Sequence, residues 1–278
     1  MANNQSQASK SWLKPQAITL PNGKVIYKKR SLTWLIVLVV LVLVYLSAKL
    51  TGFDLSVLLK RGHQFFVILK RMYPPAFDFV KDVLPPLFDT IKMSVLGTII
   101  GSLLAIPFAM WAASNLTKNR FITGFLKFFL SLVRTLPTLV IALILTYIFG
   151  LGTFAGTLAI SIFTFSFVAK QLYEAIETAD MLPYEAMEAL GANKLYSFLG
   201  AIKPQVLPAY LSVALYTFEG NVRHAAILGY VGAGGIGLIL DENLGWREYE
   251  NVGMILLCLF ITVGVIETTS RYLRSKLT

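Results

Sequence analysis

The chain has 278 residues, of which 56% are hydrophobic and only 14% charged, whereas soluble domains run at about a quarter charged. With nineteen Phe and a mean hydropathy of +0.67, it belongs to the membrane class, and a soluble globular enzyme is excluded. The net charge of +10 arises from Lys and Arg gathered before the first apolar run and beside the ends of others, a topological pattern and not a nucleic-acid footprint.

Residues 1–31 are expected to form a basic cytoplasmic tail, its first part, rich in Asn, Gln, Ser and Lys, disordered. An almost unbroken Leu and Val run follows Lys28, Lys29 and Arg30 and predicts a transmembrane helix over 32–50. The polar lead is too long for a signal peptide, and no small-residue cleavage site follows, so the helix is expected to be retained. Residues 51–89 are expected to be an external loop. Within it, 53–72 reads either as an interfacial amphipathic helix or as a solvated loop with an apolar patch, ended by Pro74-Pro75.

A core of five further spans is expected over 90–272, at 90–113, 121–150, 153–168, 204–228 and 252–269, followed by a cytoplasmic tail at 273–278. The 121–150 span is interrupted at Arg134-Thr135-Leu136-Pro137, which implies a kink. The fold class is therefore an all-α membrane protein with six transmembrane helices. A cytoplasmic amino terminus puts 114–120, 170–203 and 270–278 in the cytoplasm, and each contains Lys or Arg. The segment 241–250 then faces outward with Asp241, Glu242, Glu248 and Glu250 against Arg247. Lys60, Arg61, Lys70, Arg71 and Lys81 in the external loop run against this pattern.

Between the fourth and fifth spans, 173–203 is too long and too mixed in polarity for a simple connection. The turn signal Asp180-Met181-Leu182-Pro183 precedes helix formers at 184–190, Gly191 permits a turn, and 193–199 reads as a second short helix. Glu185-Ala186-Met187, Gly191 six residues after the Glu, and Pro204 thirteen after the Gly resemble the Glu-Ala-Ala…Gly…Ile-x-Leu-Pro loop of ATP-binding cassette importer permeases. Met187, Ala201 and Lys203 stand where that pattern has Ala, Ile and Leu. The resemblance implies a type I permease fold in which this loop is the coupling helix, seated on an ATPase subunit, with Glu185, Ala186, Glu188, Gly191 and Pro204 as coupling residues.

The resemblance extends over about two-thirds of the chain. Thr90-Ile-Lys-Met-Ser94, Gly97, Gly101 and Leu104-Ala-Ile-Pro107 resemble the opening core helix, with small residues spaced for helix contact in lipid. Ala225-Ala-Ile-Leu-Gly229-Tyr-Val-Gly232-Ala-Gly-Gly-Ile-Gly237 is most similar to phosphonate-type permeases, and part of it recurs in methionine permeases. Gly232, Gly234 and Gly237 also satisfy G-x-G-x-x-G. A dinucleotide site is rejected, because the run follows an apolar membrane segment where that fingerprint needs a strand in a βαβ unit. No G-x-x-x-x-G-K-[ST] is present, so the energy source is expected in another subunit. The glycines are expected either to allow close helix approach near the outer mouth of a path or to form a flexible external turn.

A charge at the bilayer centre costs about 3 kcal/mol on insertion scales, so charged residues within spans need a reason. Glu219 and Arg223, four apart, suit a mutual ion pair, and Asn221 and His224 crowd the same turns. These four residues, together with Arg134, Gly232, Gly234 and Gly235, are the candidates for the translocation path or its gate, with Arg134 alternatively placed to satisfy carbonyls freed at the Pro137 kink. Arg223 could alternatively offer its fork of donors to an oxyanion, and Glu267 is placed to pair with Arg271. No catalytic constellation can be assembled around His224, Cys258 excludes a disulfide framework, and the two histidines show no zinc-ligand spacing.

The resemblance implies a permease subunit for phosphonate or a related phosphorus oxyanion, without a catalytic site or metal of its own, in a bacterial inner membrane. It also implies a homodimer, two cytoplasmic ATP-binding cassette subunits that bind ATP and Mg, an external solute-binding protein, and no nucleic-acid partner. A methionine permease is the runner-up. An ion-coupled secondary transporter is the alternative from another class, but Glu219 is the sole deep acid and no internal duplication is visible.

Overall fold

The structure, a computed structural model, describes residues 16–19, 23, 25–28 and 33–277. Two compact units divide the chain, Met1–Phe66 and Val67–Thr278.

The first unit corrects the expectation of a wholly disordered tail. β1 (Gln16–Thr19) and β2 (Val25–Lys28) pair antiparallel, with Thr19 opposite Val25 and Gln16 opposite Lys28. Asn22-Gly23 in the connection is a strong hairpin-turn dipeptide, and Gly23 takes φ 79°, a conformation open to glycine at little cost. Residues 1–15 of the expected tail lie outside the described residues. α1 (Thr33–Leu50) is apolar on every face, has no buried side chain and is long enough to cross a membrane. The alternatives for 53–72 resolve as a helix, α2 (Leu55–Arg71).

In the second unit α3 (Val80–Ala112) starts ten residues earlier than expected, so the segment 51–89 is mostly helical and not a loop. The helix runs through Pro85 and Pro86, forgoing the two backbone bonds their nitrogens cannot donate. α4 (Arg120–Thr135) and α5 (Thr138–Phe149) meet at 86°, which turns the expected kink into a near right angle. Pro137 drives Leu136 into extended backbone, φ −77° and ψ 124°, and α4 ends there.

α6 (Thr153–Thr178) runs ten residues past the expected 168, so the exposed connection begins at 179 and not 173. After it come α7 (Leu182–Ala189), α8 (Lys194–Ser197), a π-helical turn at Phe198–Ile202 and α9 (Lys203–Leu228). α10 (Ile236–Trp246) takes in the first part of the acidic segment 241–250, and α11 (Tyr249–Arg274) closes the fold. Among the described residues five helices are long and apolar enough to cross a membrane, and the bent α4–α5 pair makes six.

The core is a helix-on-helix packing centred on α3 and α6. A side chain on Gly101 would meet the Ser161 carbonyl oxygen at 2.6 Å, so the two backbones meet at the small residues the sequence spaced for contact. One apolar cluster (Leu130, Val168, Ile176, Tyr184, Phe198, Ile202) lies where α6 ends and α9 begins. Two others (Met93, Ile141, Ile160, Leu228, Ala233; and Val83, Leu87, Ile236, Val252, Ile255) lie toward the opposite end. The fold thus has an elbow end, at 179–203, and a glycine-run end, at 229–237.

Candidate functional site

The elbow is a short helix held by its inner face. Tyr184 is buried in the cluster with Ile176 and Ile202, and its hydroxyl donates to the Glu188 carboxylate at 3.2 Å. Burial pushes the Tyr184 phenol above its usual value, and the hydrogen bond and charge of Glu188 add to the shift. Glu185, Ala186 and Glu188 are exposed, as are Leu182, Leu190, Leu195 and Tyr196, with Leu190 89% accessible. Apolar groups this exposed beside two carboxylates make a surface suited to a protein partner.

Gly191 ends α7 by the hydrogen-bond pattern of a Schellman motif. Its N–H donates to Glu188 O at 2.9 Å, that of Ala192 donates to Met187 O at 3.0 Å, and Gly191 takes φ 91°. Asn193 then caps α8, its side chain accepting from Tyr196 N–H at 2.9 Å. Pro204 is exposed at the start of α9, where a missing N–H costs little. The residues matched by sequence therefore set the elbow's exposed helix, its exit and its return.

Sequence reading missed the side chains that hold the elbow at its root. Gln205 Oε1 accepts from Asp180 N–H at 2.9 Å, and its Nε2 donates to Asp180 O at 3.0 Å and Ala201 O at 2.8 Å. Asn115 Nδ2 donates to Ile176 O at 2.7 Å. The Glu177 carboxylate accepts from Ser114 N–H and Oγ and from Lys127 Nζ, at 2.6–2.7 Å. Isolated polar residues carry no periodicity, and no local pattern pairs positions 114 and 127 with 177.

At the other end the glycine run is clamped, which removes the flexible-turn alternative. Gly152 N–H donates to Gly232 O at 2.9 Å, and Ile236 N–H donates to Thr90 Oγ1 at 2.7 Å. Gly232, Gly234 and Gly235 have φ of 72–79°. A side chain on Gly237 would collide with the Ala226 carbonyl, and one on Gly229 with the backbone of Gly237. The run follows a helix, which agrees with rejecting the dinucleotide reading.

The charged candidates form a network between α9 and α11. Arg223 pairs with Glu219 at 2.7 Å and Glu267 at 3.2 Å, Arg271 pairs with Glu267 at 2.6 Å, and Arg274 pairs with Glu219 at 3.3 Å. Glu219 is 6% exposed, whereas the Arg223 side chain is 49% exposed. The two charges of α9 are thus met by opposite charges on the last turns of α11, so neither is buried without a partner.

Asn221 is wholly buried and donates to Thr98 Oγ1 at 2.9 Å and Thr164 Oγ1 at 2.8 Å, tying α9 to α3 and α6. His224 is half-buried with its ring against Phe163. Arg134 is exposed at the end of α4 and, among the described residues, makes no hydrogen bond or ion pair, so it does not satisfy the carbonyls freed by Pro137. The structure thus brings Glu219 and Arg223 together and leaves Arg134 and the three glycines apart from them.

Residues 105–270 match the family described as Binding-protein-dependent transport system inner membrane component. The chain is 35% identical over 211 residues to the phosphate-import permease protein PhnE of Mycolicibacterium smegmatis, covering 76% of this chain but only 40% of that relative. It is 34% identical over 201 residues to the phosphite transport system permease protein PtxC of Stutzerimonas stutzeri, covering 72% of this chain and 73% of the relative. Among solved structures, an inward-facing MetNI methionine ABC transporter chain aligns with a TM-score of 0.64 at 19% identity. That alignment covers 73% of this chain and 99% of the other.

Proposed function

The chain belongs to the family of binding-protein-dependent transport system inner membrane components, the permeases of ATP-binding cassette importers, and from that premise we propose that it carries phosphonate or a related phosphorus oxyanion across a bacterial inner membrane. The observation that carries the reading is the elbow. It is a partner-sized exposed surface, Leu182 to Leu199, on a helix whose buried Tyr184 and glycine-capped end fix it to the bundle. Two ATP-binding cassette subunits dock there and bind ATP and Mg, and this chain contributes no ATPase site. Two copies of the chain form the path, with both termini in the cytoplasm. A solute-binding protein delivers cargo at the glycine-run end. Closure of the cassettes moves both elbows and switches the path between inward and outward opening, a two-state equilibrium biased by a partner.

The phosphorus assignment is supported by the names of relatives at 34–35% identity, one a phosphate-import and one a phosphite permease, against a 25% identical relative named as a probable D-methionine permease. The test is the permease purified with its ATPase subunits and binding protein in proteoliposomes. Phosphite, phosphate or a phosphonate should stimulate ATP hydrolysis and be imported, and methionine should not. Import by the purified chain without any ATPase subunit would overturn the reading.

A further inference from the structure

We propose that the Lys127–Glu177 ion pair is the mechanical link by which movement of the elbow reaches the bent α4–α5 pair and, through it, the glycine run. This rests on the coupling role of the elbow stated above and names the residues that would carry its motion inward. Glu177 is the penultimate residue of α6, two positions before the elbow's connection begins. Its carboxylate is three-quarters shielded and receives three donors from outside its own helix: Ser114 N–H at 2.7 Å, Ser114 Oγ at 2.6 Å and Lys127 Nζ at 2.7 Å. The Lys127 ammonium also lies 5.1 Å from the centre of the Tyr173 ring, one turn back on α6. One side chain of α4 thus grips the root of the elbow by a charge-assisted hydrogen bond and a ring face together.

The other end of α4 is the right-angle bend at Leu136-Pro137. Beyond it, Ile141 and Ala142 of α5 pack in one cluster with Leu228 and Ala233, which flank and enter the glycine run, and the run itself is locked to Gly152 and Thr90. α4 and α5 form a two-armed lever. Its short-range hold on the elbow side is Lys127, and its far arm bears on the opposite end of the fold. A rigid pivot at Pro137 passes a rotation of one arm to the other, and a frayed α4 would absorb it. Ser114 and Asn115, just beyond α3, are fastened to the same root, so α4 and the segment after α3 meet the end of α6 at one point.

The test measures solute imported per ATP hydrolysed, in proteoliposomes holding the permease, its ATPase subunits and its binding protein. Lys127→Met and Glu177→Gln should assemble and hydrolyse ATP but lose at least tenfold in solute per ATP. Lys127→Arg, which keeps the charge and the ring contact, should stay within about twofold of the parent. Ser114→Ala, which removes one donor but leaves Lys127 in place, should also remain coupled. A parent-like ratio in Lys127→Met and Glu177→Gln would overturn the proposal. So would failure of both to retain the ATPase subunits, since that marks a pair that only holds the fold. If the unmodified complex itself shows no ATP-dependent uptake, the transport reading has failed instead, a result distinct from either.

Discussion

Gln205 and Asp180 are joined through both backbone groups of the aspartate, with Asp180 N–H donating to Gln205 Oε1 at 2.9 Å and Gln205 Nε2 donating to Asp180 O at 3.0 Å. One amide side chain closes the base of a loop whose ends are 25 positions apart. The elbow therefore leaves and re-enters the bundle at one fixed point, and a displacement of α7 is carried to both α6 and α9.

Gln205→Leu keeps the size of the side chain and removes three hydrogen bonds, each worth about 1 kcal/mol net. The expected outcome is local, because the apolar cluster around Ile176, Tyr184 and Ile202 is untouched. Amide exchange over 179–193 should accelerate several-fold with little change along α3 and α11. Uniform acceleration over the whole core would contradict the placement of this hinge.

Gly191 holds φ 91° with open space around the position a side chain would take. Gly191→Val should therefore act through backbone strain and not collision, raising the energy of the α7 exit by about 1 kcal/mol or more. Membrane insertion should be unchanged, while ATP hydrolysis loses its link to uptake. Parent-like coupled uptake in this variant would remove Gly191 from the coupling residues.

Arg223→Gln leaves buried Glu219 with Arg274 alone and takes one of two partners from Glu267. Because Arg223 is half exposed and Arg274 stays, the expected loss is about 1–2 kcal/mol, below the 3–5 of a fully buried pair left with no partner. The double variant Glu219→Gln with Arg223→Gln should unfold at a temperature close to or above that of the single Arg223→Gln. Thermal unfolding of the purified complexes measures this, and additive losses would mean the two charges are not coupled.

Gly237, at the end of the glycine run, and Gly264, within α11, make a paired comparison. Gly237→Ala drives a methyl group into the Ala226 carbonyl, within a backbone contact that cannot open without moving α9 from α10, and should cost at least about 1–3 kcal/mol. Gly264→Ala, inside α11 with nothing near the added carbon, should be neutral or stabilising by up to about 1 kcal/mol. Yield and melting temperature of the two variants in detergent should separate clearly.

Much of this protein was legible from residue order alone. Long apolar runs located the spans, with boundaries off by up to ten residues, since a helix in lipid must be apolar over about twenty residues whatever it packs against. Gly97 and Gly101 announced a close helix contact, though not that its partner is α6, and Glu185, Ala186 and Gly191 marked an elbow, because helix ends and turns are written in local residue types. Boundaries failed where a helix continues beyond its apolar run, as at the start of α3 and the end of α6. The hairpin at Gln16–Lys28 was signalled by Asn22-Gly23 and passed over because of the polar composition around it.

What the tertiary structure alone decided is partnership. Glu177 meeting Ser114 and Lys127, Gln205 closing on Asp180, and Asn221 joining Thr98 to Thr164 span 25 to 123 positions, and hydrogen bonding at that range depends on how helices cross. The charges of α9 looked expensive because a span counted from its own first residue placed them deep. The partner charges on the last turns of α11 offset that cost. Sequence determines which segments must leave water, because burying apolar surface is a property of each residue. Which polar groups then share one another's charge is a property of the packed bundle.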